Sequence, residues 1–129
     1  MNGRYLLDTN IIIALFAGDT SVMQSLALAN EVFLPSIVLG ELYYGARKSG
    51  RSQKNLERIE ALVTNSSIIK CDADTARQYG DVKNRLKMKG RPLPENDVWI
   101  AALALQYDLT LVTRDAHFQE VDNLKTVLW

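Results

Sequence analysis

The sequence predicts an α/β fold in which a mainly parallel sheet is covered by helices on both faces. Three observations predict it. Short apolar runs of strand character recur along the chain, each bounded by polar residues, as strands buried on both faces require. Segments with helical periodicity lie between them. One or two such segments separate successive runs, enough for the crossovers that parallel strands need. The order of the strands within the sheet is not readable from this pattern.

The elements follow in chain order. Tyr5-Leu6-Leu7 is the first strand. Asn10 caps a short helix through Phe16, with Gly18 stopping it. Thr20 or Ser21 starts a second helix carrying Val22, Leu26 and Ala29. Val32-Phe33-Leu34 is the next strand, after which Ser36 caps a helix whose Ile37, Glu41, Tyr44 and Gly45 share one face. A helix from Ser52 has Leu56, Ile59 and Leu62/Val63 as its apolar stripe, and Ile68-Ile69 is a third strand. Asp72 or Asp74 opens a long helix with the stripe Ala76, Tyr79, Val82/Lys83 and Leu86, ending at Gly90. The loop Arg91-Pro92-Leu93-Pro94 leads into the last long helix, where Asp97, Ile100, Ala101 and Ala104 fall together. Leu109-Thr110-Leu111-Val112 and Thr126-Val127-Leu128 are the closing strands.

At 129 residues, 47% hydrophobic and 23% charged, the chain fits one domain with a sizeable core. Lys plus Arg is 15 and Asp plus Glu is 15, so the formal net charge of zero gives no global signature of a polyanion binder. Attraction to such a ligand has to come from local patches or a bound metal. The single cysteine, Cys71, excludes an internal disulfide and reads as a buried small hydrophobe closing the run Ile68-Ile69. The longest apolar stretch, Ile11 to Ala17, is too short to span a bilayer, and Asp8 and Asn10 interrupt any leader-like opening. The expected location is cytoplasmic.

Four acids sit where the pattern is otherwise apolar. Asp8 ends the first strand; Glu41 lies on an apolar or small-residue helix face; Asp97 heads an almost wholly apolar helix; Asp115 follows the strand ending at Thr113. Each has a plainer explanation: Asp8 as a helix cap, Asp97 as a first-turn acid complementing the helix dipole, Glu41 as a solvated side chain, Asp115 as a turn residue. Taken together they point elsewhere, because open parallel sheets bind ligands beyond the carboxyl ends of their strands, where Asp8 and Asp115 both lie. Two carboxylates about 4 Å apart repel by about 4 kcal/mol at an effective dielectric of about 20. A cluster of them holds protons or a cation. An oxygen-only donor set suits Mg²⁺ or Mn²⁺, and one His with one Cys does not suit zinc.

Leu6-Leu7-Asp8-Thr9-Asn10, Leu39-Gly40-Glu41-Leu42-Tyr43-Tyr44-Gly45, Asn96-Asp97-Val98-Trp99-Ile100-Ala101-Ala102 and Leu111-Val112-Thr113-Arg114-Asp115-Ala116-His117-Phe118 resemble, in order and spacing, the four motifs of the PIN-domain family. The match spans almost the whole chain, 1–129 as a single PIN-like domain, and the small size is similar to the VapC branch, the toxins of bacterial toxin–antitoxin pairs. The resemblance implies a three-layer α/β/α sandwich with a five-stranded parallel sheet and Mg²⁺- or Mn²⁺-dependent endonucleolytic cleavage of RNA. It implies Asp8, Glu41, Asp97 and Asp115 as the acidic quartet around the metal, with Asp115 acting directly or through water. Thr9, Asn10, Asn96 and Thr113, adjacent to these acids, are candidates to orient them by hydrogen bonding. His117 is expected as a structural or rim residue.

Arg114, beside Asp115, is placed to meet a substrate phosphate. Arg47, Lys48, Arg51 and Lys54, and Lys83, Arg85, Lys87, Lys89 and Arg91, are local basic clusters that track phosphates or simply solvate helix faces. The resemblance further implies an antitoxin partner that blocks the site and a homodimer; Tyr43, Tyr44 and Leu56 are candidate interface residues or core. Two other readings stay open at the level of sequence. One is an Mg²⁺-dependent phosphotransfer domain with Asp8 as the phosphorylated acid, although Asn10 stands where a phosphatase of that kind has a second Asp. The other is a PIN-like fold kept only for binding.

Overall fold

The computed structural model describes residues 3–129. Its strands are β1 (Arg4–Leu7), β2 (Glu31–Pro35), β3 (Ser67–Ile69), β4 (Thr110–Val112) and β5 (Thr126–Val127). They form a five-stranded sheet in the order β3-β2-β1-β4-β5, every pairing parallel. The helices are α1 (Thr9–Phe16), α2 (Thr20–Leu28), α3 (Ser36–Lys48), α4 (Ser52–Thr64), α5 (Ala73–Lys89) and α6 (Glu95–Gln106), with a 3₁₀ turn at Ala116–Glu120. The α/β class and the five-stranded parallel sheet are therefore as the sequence predicts. Among the described residues no single helix is long and apolar enough to cross a membrane.

The strand order locates the crevice. The chain winds outward from β1 through β2 to β3, then crosses back to β4 on the other side of β1. Crossovers to opposite sides leave a gap beyond the carboxyl ends of β1 and β4. The main chain pins that gap: the Asp8 N–H donates to the Val112 carbonyl at 3.0 Å, and the Thr113 N–H to that of Val127 at 3.1 Å.

The core follows the apolar pattern. Leu6, Leu34 and Leu111 from the sheet, Ile11 and Ile12 from α1, Val38 from α3 and Ile100 and Leu103 from α6 have no exposed surface. Helix α6 is buried on nearly every side, from Val98 through Ala104 apart from the partly covered Trp99, because α5 packs along it with Tyr79 stacked on Trp99 at 4.0 Å. A helix apolar all round belongs in such a place.

Several local expectations are corrected. Of the two caps the sequence offers for α1, Asp8 and not Asn10 fills the role, accepting the Thr9 N–H; α2 starts at Thr20 as expected, with Asp19 as its cap. Ser36 is the first residue of α3 and makes no capping bond, since the cap position is Pro35. On α5 the buried stripe is Thr75, Val82 and Leu86; Ala76 is exposed. Asp72 opens that helix with a capping box, which turns the Thr75 hydroxyl inward, where Gln106 also meets it. Gly90 closes α5 with φ +69°, as its sequence position anticipates. Cys71 is exposed, because β3 ends at Ile69 and the chain has already left the sheet. Tyr44 is 65% exposed, with the Lys48 ammonium 4.6 Å from its ring centre, whereas Tyr43 and Leu56 are half-buried against the core.

Candidate active site

Asp8 occupies the end of β1 and is 5% exposed. Its Oδ1 accepts the Thr9 N–H at 2.8 Å, and its Oδ2 accepts the Thr113 hydroxyl at 2.7 Å and the Asn10 amide at 3.2 Å. The helix cap and the candidate acid are thus the same side chain. Burial raises its pKa; the bonds from Thr113 and Thr9 oppose that rise, and the charges of Asp97 and Asp115 add to it.

Glu41 lies half-buried in the second turn of α3, where Thr9 Oγ donates to its Oε1 at 3.0 Å. Its pKa is also raised, first by burial, against the Thr9 bond, with the charges of Asp97 and Asp8 contributing. Asp8 thus feels Asp97 and Asp115, and Glu41 feels Asp97 and Asp8, which links four acids separated by up to 107 positions. None of the four is paired with a Lys or Arg among the described residues, whose cations find other acids instead: Lys83 takes Glu95, Arg85 and Lys89 take Asp122, and Arg114 takes Asp19.

Thr113 is the hinge of the arrangement. Its buried hydroxyl donates to Asp8 and accepts the Asp115 N–H at 3.0 Å, so both roles of the oxygen are filled and its rotor is set. Asn10 is similarly fixed, donating to Asp8 and accepting the Arg114 N–H at 3.3 Å. Of the orienting residues expected from the sequence, Thr9, Asn10 and Thr113 touch the acids; Asn96 is exposed and bonds none of them. Arg114 touches the site through its main chain. Its guanidinium reaches Asp19 at 2.8 Å and the Trp129 carbonyl at 3.0 Å, rather than standing free for a phosphate, and the same bond from Arg114 holds the Asp19 carboxyl down at about 2.

His117, expected as a structural or rim residue, is 41% exposed and stands between two of the acids: its Nε2 lies 3.1 Å from Asp97 Oδ2 and its Nδ1 2.8 Å from Asp115 Oδ1. The 3₁₀ turn that follows Asp115 creates this placement, and the spacing Asp115-x-His117 was the available signal. Asp97, in the first turn of α6, keeps 18% of its side chain exposed, enough to face the crevice.

The donor chemistry fits a divalent cation. The crevice offers carboxylates without a Lys or Arg partner among the described residues, and Asp97, Asp115 and His117 each present a ligand atom within 4.8 Å of the others. Such a set is unfavourable empty and favourable around a hard or borderline ion.

The family model for the PIN domain matches residues 5–124. The chain is 33% identical over 131 residues to Ribonuclease VapC2 of Haemophilus influenzae, covering 98% of both, and 32% identical over 129 residues to the tRNA(fMet)-specific endonuclease VapC of Shigella flexneri, again covering 98% of both. Among solved structures it is similar to VapBC2 from Rickettsia felis bound to a promoter DNA fragment, with a TM-score of 0.91 at 32% identity, covering 97% of this chain and 98% of that one.

Proposed function

The chain belongs to the PIN domain family, and from that premise we propose that it is a metal-dependent endoribonuclease, the toxin half of a VapC-type toxin–antitoxin pair, acting in the cytoplasm as one PIN-like unit over residues 1–129. The observation that carries the reading is the crevice between β1 and β4, where four carboxylates meet without a Lys or Arg counter-charge among the described residues. Family membership also removes the phosphotransfer alternative.

Asp8, Glu41, Asp97 and Asp115 would hold Mg²⁺ or Mn²⁺. When bound, such an ion supplies a water of lowered pKa and neutralises charge developing on the phosphodiester. The chain's own part is to keep the acids ionised and aimed. Thr9, Asn10 and Thr113 donate to their oxygens, which favours the charged forms against burial. The two hydroxyls that touch the acids are both committed to them, so neither serves as a nucleophile. The reaction is hydrolysis: water attacks phosphorus in line with the departing 3′-oxygen, leaving a 5′-phosphate and a 3′-hydroxyl. Arg91 shares a cleft with His117, and Arg47, Lys48 and Arg51 are exposed where α3 meets α4; these are the cations available to RNA phosphates.

An antitoxin segment fits the groove between α1, α3 and α4. Ile13, 57% exposed, lines it with Phe16, Leu42 and Ile59, and Thr9 and Glu41 stand at its end. An apolar stretch seated there delivers a following basic side chain to the acids, which is the charge complement the crevice lacks. A homodimer completes the assembly the family implies.

The test is cleavage of single-stranded or transfer RNA by the purified, antitoxin-free chain. Activity should require added Mg²⁺ or Mn²⁺, disappear in EDTA and disappear in Asp8→Asn. Cleavage that survives complete chelation would sink the reading.

A further inference from the structure

We infer that His117 is itself a ligand of the site's cation, through Nε2 beside Asp97, and that this nitrogen makes the site prefer a first-row transition ion such as Mn²⁺ over Mg²⁺. The inference rests on the metal-dependent reading given above and specifies which atoms and which ion complete it.

The ring is already oriented for that role. Asp115 Oδ1 accepts the His117 main-chain N–H at 3.2 Å and lies 2.8 Å from Nδ1. Asp115 in turn is anchored by its own N–H on the Thr113 hydroxyl. In the tautomer that carries its proton on Nδ1, that nitrogen donates to Asp115 Oδ1 and the lone pair of Nε2 points away from it. That lone pair faces Asp97 Oδ2 at 3.1 Å. In that tautomer two electron-rich atoms face each other, an arrangement that a cation bound by both completes. Metal-binding histidines characteristically donate the second ring N–H to a carboxylate, which is the arrangement Asp115 makes here.

The spacing agrees. Adjacent ligands of an octahedral ion with bonds of about 2.1 Å stand about 3 Å apart, and Nε2 and Oδ2 are separated by 3.1 Å. The ligand atoms of Asp97, Asp115 and His117 all fall within 4.8 Å of one another. One imidazole among carboxylates shifts selectivity away from Mg²⁺, which favours oxygen, toward ions that accept nitrogen.

The experiment uses the full-length chain, stripped of metal and titrated with Mn²⁺. Pulsed electron paramagnetic resonance of the bound ion should reveal coupling to a directly ligated nitrogen, absent in His117→Ala. That variant should lose about tenfold in Mn²⁺ affinity and less than about threefold in Mg²⁺ affinity measured by competition. Mn²⁺ that binds wild type without nitrogen coupling overturns the inference while leaving the metal-dependent reading intact, as does an equal loss of affinity for both ions. Failure of wild type to bind Mn²⁺ at all overturns both. The wild-type spectrum decides the ligand question alone, so a folding defect in the variant does not rescue the idea.

Discussion

The Thr113 hydroxyl donates to Asp8 Oδ2 at 2.7 Å, joining the ends of β4 and β1 across 105 positions of chain. Both groups are buried, at 7% and 5% exposure, so the bond is shielded from competing solvent. Thr113→Val keeps the shape and deletes the donor. The variant should lose about 1–3 kcal/mol of stability by leaving polar groups short of partners, and about tenfold or more in divalent-ion affinity through a misaimed Asp8. Denaturant unfolding and ion titration measure the two losses; unchanged ion affinity would mean that Asp8 is oriented by Thr9 and Asn10 alone.

Asp8→Asn separates function from stability. Cleavage should fall at least about a hundredfold, the scale of losing a central electrostatic group. The metal-free variant should nevertheless melt no lower than metal-free wild type, because a buried charge that Asp97 and Asp115 oppose has been removed. A marked drop in melting temperature in EDTA would show that the ionised Asp8 stabilises the fold.

The pH dependence of the metal-free protein has a definite sign. Asp8 and Glu41 have folded-state pKa values raised above their ordinary 3.8 and 4.5. The folded state then binds protons more tightly than the unfolded chain. Their contribution to stability is complete below the ordinary values and is lost as pH rises through the raised ones. In EDTA, melting temperature should therefore rise as pH is lowered from neutral toward the carboxylate range, and the rise should shrink in Asp8→Asn with Glu41→Gln. Adding Mg²⁺ or Mn²⁺ at neutral pH should raise it too, since the ion binds only the folded state. A melting temperature indifferent to both treatments would remove the electrostatic strain from the account.

The Asp19–Arg114 tie runs the other way. Arg114 holds Asp19 at about 2, below its ordinary 3.8, so its contribution is present above the ordinary value and lost as pH falls through the lowered one. Arg114→Ala should reduce stability at neutral pH and change RNA affinity less than about threefold, because the guanidinium is bound to Asp19 and Trp129. A large loss of RNA binding with intact stability would restore Arg114 to the phosphate contact that its position beside Asp115 suggests.

Leu103→Ala tests the central helix. Leu103 has no exposed surface, and its truncation should cost about 2–5 kcal/mol by chemical denaturation. Cleavage by the folded fraction should persist, since Leu103 lies away from the first turn that carries Asp97.

The alternation of apolar runs with helical periodicity was sufficient, by itself, to fix the α/β class, because burial on both sheet faces and amphipathic packing impose periods that are visible locally. Caps and stops are partly legible for the same reason: Gly90 stands where its position in the sequence puts it, while Asp8 and Asn10, two positions apart and of the same capping chemistry, both read as caps and the fold gives the role to Asp8. The four motifs named the acids, since Asp8, Glu41, Asp97 and Asp115 each break an apolar context. Only the tertiary structure decided what those acids touch. Strand order puts β4 beside β1, which makes Thr113 a partner of Asp8 and brings Arg114 to Asp19, and the 3₁₀ turn after β4 sets His117 between Asp97 and Asp115. Such pairings join segments whose separation in sequence leaves no periodic trace, so they arise from the packing of crossovers and not from the local order of residues.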